Sequence, residues 1–197
     1  GQHVRRVTGF ADANYANASD DERKSNTGFI FFLYGCPITW RSKLQPLTAT
    51  STHEAELIDC FSASMEAVWI RKLLQDIGHV FDLPLRKLQD NQHMRNVMEL
   101  DGETISDEEF ELDPLQLFND NLGTTQTINN PESTSQRSKH LDIRYFRIRQ
   151  HVKRQDIKVQ YIGTDMNVAD FFTKALTGDK FFQFRSVVGM KDVCAGG

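Results

Sequence analysis

Four acidic side chains lie far apart along the chain, each at a junction of predicted secondary-structure elements: Asp12, Glu56, Asp120 and Asp170. If the fold brings them together, the carboxylates repel one another, and some must hold protons unless divalent cations lie among them. Mg²⁺ binds a few carboxylates together with waters and phosphate oxygens. Two such ions about 4 Å apart would activate water and stabilise the leaving oxygen of a phosphodiester. Taken singly, each acid also fits a plainer role at a turn or in the first turn of a helix.

The first acid lies in a predicted antiparallel sheet. The run from Val7 to Ala16, VTGFADANYA, is followed by the aromatic and branched run from Thr27 to Tyr34, TGFIFFLY, and by a third short run from Ile38 to Trp40. Such runs favour strands, and consecutive strands joined by short turns pair antiparallel. We therefore expect Asp12 on a strand among small residues, where it either holds a metal ion or merely begins a turn.

The second acid lies near the start of the longest predicted helix, from Thr52 to Gly78. Ser51 or Thr52 can cap this helix, and Glu54 falls in its first turn. The following residues recur at near-helical spacing and predict the buried face: Ala55, Ile58, Ser62, Met65, Val68 or Trp69, and Leu73. Glu56 lies on or beside that face, which is unusual for an uncompensated acid and suggests a nearby cation.

The third acid has two candidates, because two segments resemble each other. Residues 84–91 read PLRKLQDN and residues 114–121 read PLQLFNDN, so both Asp90 and Asp120 precede an asparagine. Between them, residues 98–113 are half acidic, which predicts an exposed or disordered insertion over 86–113. Only one copy can fill a given place in the sheet. The leucines before Asp120 favour a buried strand more than the Arg-Lys pair in the first copy.

A basic segment from Ser135 to Arg154 predicts an amphipathic helix. Cationic residues recur at steps of three and four and so share one face: His140, Arg144, Arg147, His151 and Arg154. Leu141, Tyr145, Ile148 and Val152 form the neighbouring apolar face. A nearly unbroken positive stripe favours phosphate binding, although an ordinary solvated face is the alternative.

The last part of the chain predicts one more strand and two helical pieces. Residues 157–162 alternate as in a strand, residues 168–176 form a helix with Asp170 in its first turn, and residues 181–188 close the domain. The resulting order is strand, strand, strand, helix, strand, helix, helix, strand, helix. This order is that of an α/β fold.

The bulk composition excludes several classes of protein. The 197 residues suit one domain, with 39% apolar and 25% charged residues. No apolar run approaches the roughly 20 residues that span a bilayer, so no membrane partner is expected. Three widely spaced cysteines favour neither a disulfide framework nor a zinc knuckle, and we expect an intracellular protein. The net charge of −4 gives no hint of nucleic-acid binding, because it averages opposed acidic and basic segments.

Taken together, these segments resemble the ribonuclease H domain of copia-type LTR retrotransposon polyproteins. The resemblance is carried, in the family's order, by GFADANYA, KSNTGFIFFLYGCPITWRSKLQP, TSTHEAELIDCFSASMEAVWIRKLL, NDN, QRSKHLDIRYFRIRQHV and YIGTDMNVADFFTKAL. It implies a ribonuclease H-like fold over residues 1–188, with a mixed five-stranded sheet of order 3-2-1-4-5, helices on its faces, and a tail at 189–197. It also implies Mg²⁺-dependent cleavage of RNA paired to DNA.

The resemblance assigns roles to the four acids. Asp12 would bridge two Mg²⁺ ions, for which Mn²⁺ could substitute. Glu56, the later glutamate of EAEL, and Asp120 would hold the ion at the leaving side. Asp170 would hold the ion that carries the attacking water. Asp90 is the alternative third acid, since it has the family's spacing when counted forward from residue 78, whereas Asp120 has it when counted back from residue 130.

The resemblance also implies an RNA–DNA hybrid as substrate and the rest of a Pol polyprotein, including reverse transcriptase, as partner. The residues expected to contact the hybrid are Arg41, Lys43, Arg137, Lys139, His140, Arg144, Arg147 and Arg154. The expected location is a cytoplasmic particle or the nucleus.

Two features depart from the family's pattern. The insertion before Asp120 is not typical. The loop before the last acid also lacks the histidine that cellular ribonucleases H often place there, so Thr164, Asp165 or Asn167 would have to assist product release, or nothing does. Two rival functions follow: an inactive nucleic-acid-binding or tethering module, and a DNA-cutting or strand-transferring enzyme of the same fold.

Overall fold

The protein forms a five-stranded mixed sheet with helices on both faces. The structure is a computed structural model that describes residues 7–16, 23–81, 113–130 and 139–191, without the side chains of 78–81 and 139–142. The strand order is β3-β2-β1-β4-β5. The predicted fold class and strand order are therefore confirmed.

The first three strands form an antiparallel meander. The strands β1 (Thr8–Asn14) and β2 (Asn26–Leu33) pair antiparallel, and β3 (Cys36–Leu44) pairs antiparallel with β2 at one edge of the sheet. The strand β2 is buried on both faces, because helices cover both, whereas β3 is mostly exposed. The aromatic and branched residues of β2 therefore pack into the hydrophobic core on both faces of the sheet.

The other two strands run parallel to β1. The helix α1 (Thr52–Phe81) follows β3 and leads towards β4 (Leu115–Asn119), which pairs parallel with β1. The helices α2 (Leu122–Asn129) and α3 (Lys139–Lys153) then connect β4 to β5 (Ile157–Tyr161), which pairs parallel with β4. Helical crossovers of this kind are what parallel neighbours require.

The main core lies between one face of the sheet and the helices α1 and α3. On α1 the buried positions include Leu57, Cys60, Ala63, Ala67 and Ile70, and they pack against residues of all strands except β3. The predicted face of α1 is only partly right, because Trp69 and Leu73 are exposed. The helix also continues past Gly78 to Phe81, so that glycine does not end it.

The opposite face of the sheet carries a 3₁₀ turn (Thr164–Met166) and the short helices α4 (Asp170–Thr173) and α5 (Gly178–Val187). A second core forms there around Ile30, Phe32, Val168 and Phe184. The helix α4 approaches β2 very closely, because a Cβ atom at Gly28 would overlap the methyl group of Thr173. The predicted helix over 168–176 is thus reduced to one turn beginning at Asp170.

Several predictions concern residues outside the described ranges. They include Asp90, Arg137, residues 86–112 of the predicted insertion, residues 192–197 of the tail, and the side chains of Lys139 and His140. Among the described residues, no helix combines the length and apolar character needed to cross a membrane.

Candidate metal centre

Asp12 and Asp120 lie together because of the register of two parallel strands. Ala11 of β1 pairs with Asn119 of β4. The next residue in each case is Asp12 or Asp120, so the two acids lie at neighbouring positions at the same end of the sheet. The register therefore places two carboxylates side by side at the carboxyl ends of adjacent strands, a common location for sites in α/β folds.

Glu56 joins these two acids from the first turns of α1. The start of α1 packs closely on β1 through a small cluster of Ala13, Ala49, Ala55 and Ile58. Carboxylate oxygens of Asp12, Glu56 and Asp120 all lie within 4.8 Å of one another. Three of the four predicted acids therefore share one small volume.

Burial changes the acidity of this group. Desolvation raises the pKa of Asp12 to about 6, opposed by Lys174 and Thr173 and reinforced by Asp170 and Asp120. Desolvation also raises the pKa of Glu56 to about 8, reinforced by Asp12 and opposed by its hydrogen bond from Asn119. Without a metal ion, Glu56 therefore holds its proton near neutral pH.

Two buried asparagines position the group, and neither was assigned a positioning role from the sequence. The Asn119 amide nitrogen donates to Glu56 Oε2 at 2.9 Å and to the Ala11 carbonyl at 3.2 Å. The Asn167 amide nitrogen donates to the same carbonyl at 3.0 Å, while its oxygen accepts from the Ala169 N–H at 3.2 Å. Asn167 is fully buried, whereas Thr164 and Asp165, the other two residues suggested for product release, are exposed.

Asp170 approaches the group from the other face of the sheet and is paired with lysines. Its carboxylate accepts from Lys174 Nζ at 2.8 Å and from Lys180 Nζ at 2.5 Å. Lys174 Nζ also lies 3.4 Å from Asp12 Oδ1, and the Thr173 hydroxyl donates to Asp12 Oδ2. Sequence reasoning missed both lysines, although the four-residue spacing of Asp170 and Lys174 within α4 and its C-cap was a usable signal.

A further buried acid, Asp59, was also missed. It lies one turn after Glu56 on α1 and is fully buried. Its two carboxyl oxygens have no hydrogen-bond partner of normal geometry among the described residues. Burial, and then the charges of Glu56 and Asp12, raise the pKa of Asp59 well above its usual value, and only the backbone at Gly28 opposes them. The spacing from Glu56 was its only sequence signal.

The residues of the predicted basic stripe on and after α3 differ in exposure. Arg147 and Arg154 are exposed and Arg144 is half-buried, but His151 is buried and its Nδ1 lies 2.8 Å from Asp156 Oδ2. His151 therefore does not belong to the exposed face, because the chain turns back at Asp156 to begin β5. The predicted apolar face is right for Tyr145, Ile148 and Val152, which contact the main core.

Arg41 and Lys43 lie on β3, at the edge of the sheet opposite β5. Both side chains are exposed, and the Arg41 guanidinium lies over the Phe29 ring at 5.1 Å. The structure therefore does not bring them next to α3, which packs on α1 and beside β5.

The residues fit a divalent cation that prefers oxygen ligands. Asp12, Glu56 and Asp120 supply only carboxylate oxygens, which is the donor set of Mg²⁺ and Mn²⁺ rather than of zinc. Their shared burial and mutual repulsion are relieved when positive charge lies among them. The donor set and the charge of the site therefore suit a divalent metal ion.

Comparisons with known proteins agree with this geometry. No protein-family model matches the chain. It is 31% identical over 184 residues to the retrovirus-related Pol polyprotein from transposon TNT 1-94 of Nicotiana tabacum, a match that covers 93% of the chain and 11% of that polyprotein. It is 30% identical over 184 residues to the Pol polyprotein from transposon RE1 of Arabidopsis thaliana, covering 93% of the chain and 10% of the relative. The chain thus spans about a tenth of the length of these relatives.

Among solved structures, the chain resembles the N-terminal RNase H domain of a Mycobacterium tuberculosis protein. The TM-score is 0.53 with 9% sequence identity, and the match covers 92% of this chain and 96% of that chain. At this identity the likeness concerns the fold alone.

Proposed function

We propose that this chain, which is a homologue of one segment of retrovirus-related Pol polyproteins and has the ribonuclease H fold, hydrolyses the RNA strand of RNA–DNA hybrids. Cleavage would be endonucleolytic and Mg²⁺-dependent, as the ribonuclease H part of a retrotransposon polyprotein. The observation that carries the proposal is the convergence of Asp12, Glu56 and Asp120 at one end of the sheet. Carboxylates from β1, from α1 and from the residue after β4 meet there, and they are the ligands that metal-assisted phosphodiester hydrolysis needs.

The four acids would divide the work among them. Asp12 would bridge two ions, Glu56 and Asp120 would hold the ion at the leaving side, and Asp170 would hold the ion at the water side. When bound, Mg²⁺ would supply an activated water and stabilise the leaving oxygen. Asn119 would keep Glu56 pointed at Asp12 through its 2.9 Å hydrogen bond. Removing partners of this kind commonly weakens metal binding by about 10–100-fold.

Exposed arginines would bind the backbone of the hybrid. Arg147 on α3 and Arg154 just after its end are exposed, and Arg144 on the same helix is half-buried. Arg137, Lys139, His140, Arg41 and Lys43 remain candidates. Such contacts recognise helix shape and phosphates rather than base sequence, and their affinity falls as salt rises.

The surrounding protein would be the rest of a Pol polyprotein, including its reverse transcriptase. The length of the relatives supports this proposal, since the chain covers only 11% of one and 10% of another. The ribonuclease H-like domain would extend over residues 1–188, with the acidic segment 86–113 as an insertion. The expected setting is a cytoplasmic particle or the nucleus.

The test is incubation of the purified chain with a labelled RNA–DNA hybrid and, separately, with double-stranded DNA, in Mg²⁺ and in EDTA. We expect cleavage of the RNA strand in Mg²⁺ alone. Cleavage of DNA alone would instead indicate a strand-transferring enzyme. Binding of the hybrid without cleavage of either substrate would indicate an inactive binding module.

A further inference from the structure

The Asp170 side of the acid group already holds positive charge. Both oxygens of the Asp170 carboxylate accept hydrogen bonds from ammonium groups, Oδ1 from Lys174 at 2.8 Å and Oδ2 from Lys180 at 2.5 Å. Lys174 Nζ also lies 3.4 Å from Asp12 Oδ1. One ammonium group therefore bridges the two carboxylates that would otherwise share a metal ion.

The local fold builds Lys174 into this place. It follows Asp170 by four residues at the end of the single turn of α4, which directs its side chain back over Asp170. The Thr173 hydroxyl ties the same turn to Asp12, and Gly28 leaves the room that lets α4 come this close to the sheet. The position of Lys174 is thus a consequence of how α4 docks.

The two lysines are not equivalent. Lys180 is held on several sides, since it also donates to the Thr164 carbonyl at 3.0 Å and lies over the Phe184 ring at 5.4 Å. For Lys174 the only polar contacts described are those to Asp12 and Asp170, and 34% of its side chain is exposed. Moving the Lys174 ammonium into solvent would therefore break, among the contacts described, only those to these two carboxylates, and it would free Asp170 Oδ1.

We propose that Lys174 is a positioning residue whose ammonium group occupies the place between Asp12 and Asp170 that a second metal ion would take. The free protein then binds one divalent ion tightly, through Asp12, Glu56 and Asp120, and binds a second only when the Lys174 ammonium leaves the two carboxylates. The inference rests on the proposed function, because it concerns the second ion of the same site. Its physical basis is that an ammonium group and a metal ion compete for the same oxygens and repel each other at short range.

The experiment is a Mn²⁺ titration of the full chain followed by electron paramagnetic resonance of the unbound ion. It compares wild type with Lys174→Gln, and with Lys158→Gln as a control of equal charge change at an exposed site on β5. We expect one tight and one weak ion in wild type and in the control. In Lys174→Gln the second ion should bind about tenfold more tightly or better, as expected when a like charge is removed at close range. Lys174→Arg keeps the charge and should retain the weak second ion.

Equal Mn²⁺ affinities in wild type and Lys174→Gln would overturn the inference, and so would two equally tight ions in wild type. A second measurement uses wild type alone, so it stands even if Lys174→Gln does not fold. Pulse acetylation read by mass spectrometry should label Lys174 several-fold more once a second Mn²⁺ is bound, with Lys158 unchanged. Unchanged labelling of Lys174 would also overturn the inference. Neither readout requires cleavage, so both are separate from the hybrid assay that tests the proposed function.

Discussion

At the scale of single residues, the site concentrates more negative charge than it can hold without protons or cations. Asp12 and Glu56 are almost fully buried, and burial raises their pKa values to about 6 and about 8. The nearby Asp59 is fully buried, and its two carboxyl oxygens have no hydrogen-bond partner of normal geometry in the described part of the chain. Asp59 differs from these acids in position, because the group of carboxylates that could hold a metal ion consists of Asp12, Glu56 and Asp120 and does not include Asp59.

The choice between the two Asp-Asn copies yields a direct prediction. Asp120→Asn should reduce cleavage of an RNA–DNA hybrid by about 100-fold or more, since losing even a hydrogen-bond partner of a metal ligand costs about 10–100-fold. Asp90→Asn should leave the rate nearly unchanged. The measurement is the initial rate at saturating Mg²⁺ for both variants. The reverse pattern would mean that Asp90 is the third acid.

Asp59 yields a prediction about stability and pH. Because its pKa is raised in the folded protein, the native state binds more protons than the unfolded state, and the free energy of unfolding falls as pH rises above the usual aspartate range. Asp59→Asn removes the contribution of this residue to the pH dependence. The variant should be more stable than wild type at pH 8, and the gain should shrink towards pH 4.

Urea unfolding in EDTA at several pH values measures this difference. Glu54→Gln serves as a matched control, because Glu54 is a more exposed acid on the same helix, bonded to Thr50. A stabilisation from Asp59→Asn that is the same at every pH would contradict the explanation.

At the scale of elements, α3 has one face for the core and one for solvent. Tyr145, Ile148 and Val152 pack inward, and the Tyr145 hydroxyl lies 2.6 Å from His53 Nε2 at the start of α1. Outward, the exposed Ile143 and Phe146 lie among basic side chains around a cavity of about 800 Å³ lined by Ile143, Phe146, Arg147, Arg149, Gln150, Lys153 and Arg154. The helix α3 therefore contacts the start of α1, which carries Glu56, on one side and presents a basic surface on the other.

The basic surface of α3 leads to a binding prediction. The double variant Arg147→Gln, Arg154→Gln should weaken binding of an RNA–DNA hybrid and lower the slope of log affinity against log salt by about 2, one for each lost phosphate contact. Fluorescence anisotropy between low and moderate salt measures this slope. Lys72→Gln, an exposed lysine on α1, should not change it. An unchanged slope in the double variant would place the hybrid elsewhere.

At the scale of the whole molecule, the proposed metal binding would be linked to folding stability through the acid group. The folded protein gathers acids from β1, α1 and the end of β4 that lie far apart in the unfolded chain. An ion that binds only the folded arrangement stabilises it in proportion to its affinity.

This linkage predicts that Mg²⁺ stabilises the protein more at pH 8 than at pH 5.5. The raised pKa values of Asp12 and Glu56 mean that, without metal, stability declines as pH rises from about 4 to 8. Mg²⁺ binds the deprotonated carboxylates, so it should offset that decline. Thermal melts in EDTA and in Mg²⁺ at both pH values provide the test, and an equal shift of Tm would contradict the linkage. Asp120→Asn should greatly reduce the shift at pH 8.

Much of the fold was predictable from the sequence because its signals are local. Alternating and helical spacings predicted the order of strands and helices, and the buried face of α3 at Tyr145, Ile148 and Val152 followed from the same periodicity. The short motifs around Asp12, Glu56 and Asp170 indicated the strand order through a resemblance. Periodicity states which face of an element is apolar, and that information needs no knowledge of the neighbouring elements.

The partners of each polar side chain were decided only by the tertiary structure. His151 has helical spacing with the arginines, yet it is buried and pairs with Asp156. Asn167 donates a hydrogen bond to a backbone carbonyl of β1. The sequence alone determined which acids are present and on which elements they lie. The parallel register of β1 and β4 brought Asp12 beside Asp120, and the docking of α4 placed Lys174 against Asp170. The strand register and the docking of α4 both depend on how separate elements pack. No local sequence pattern encodes which residue of another element a side chain will contact.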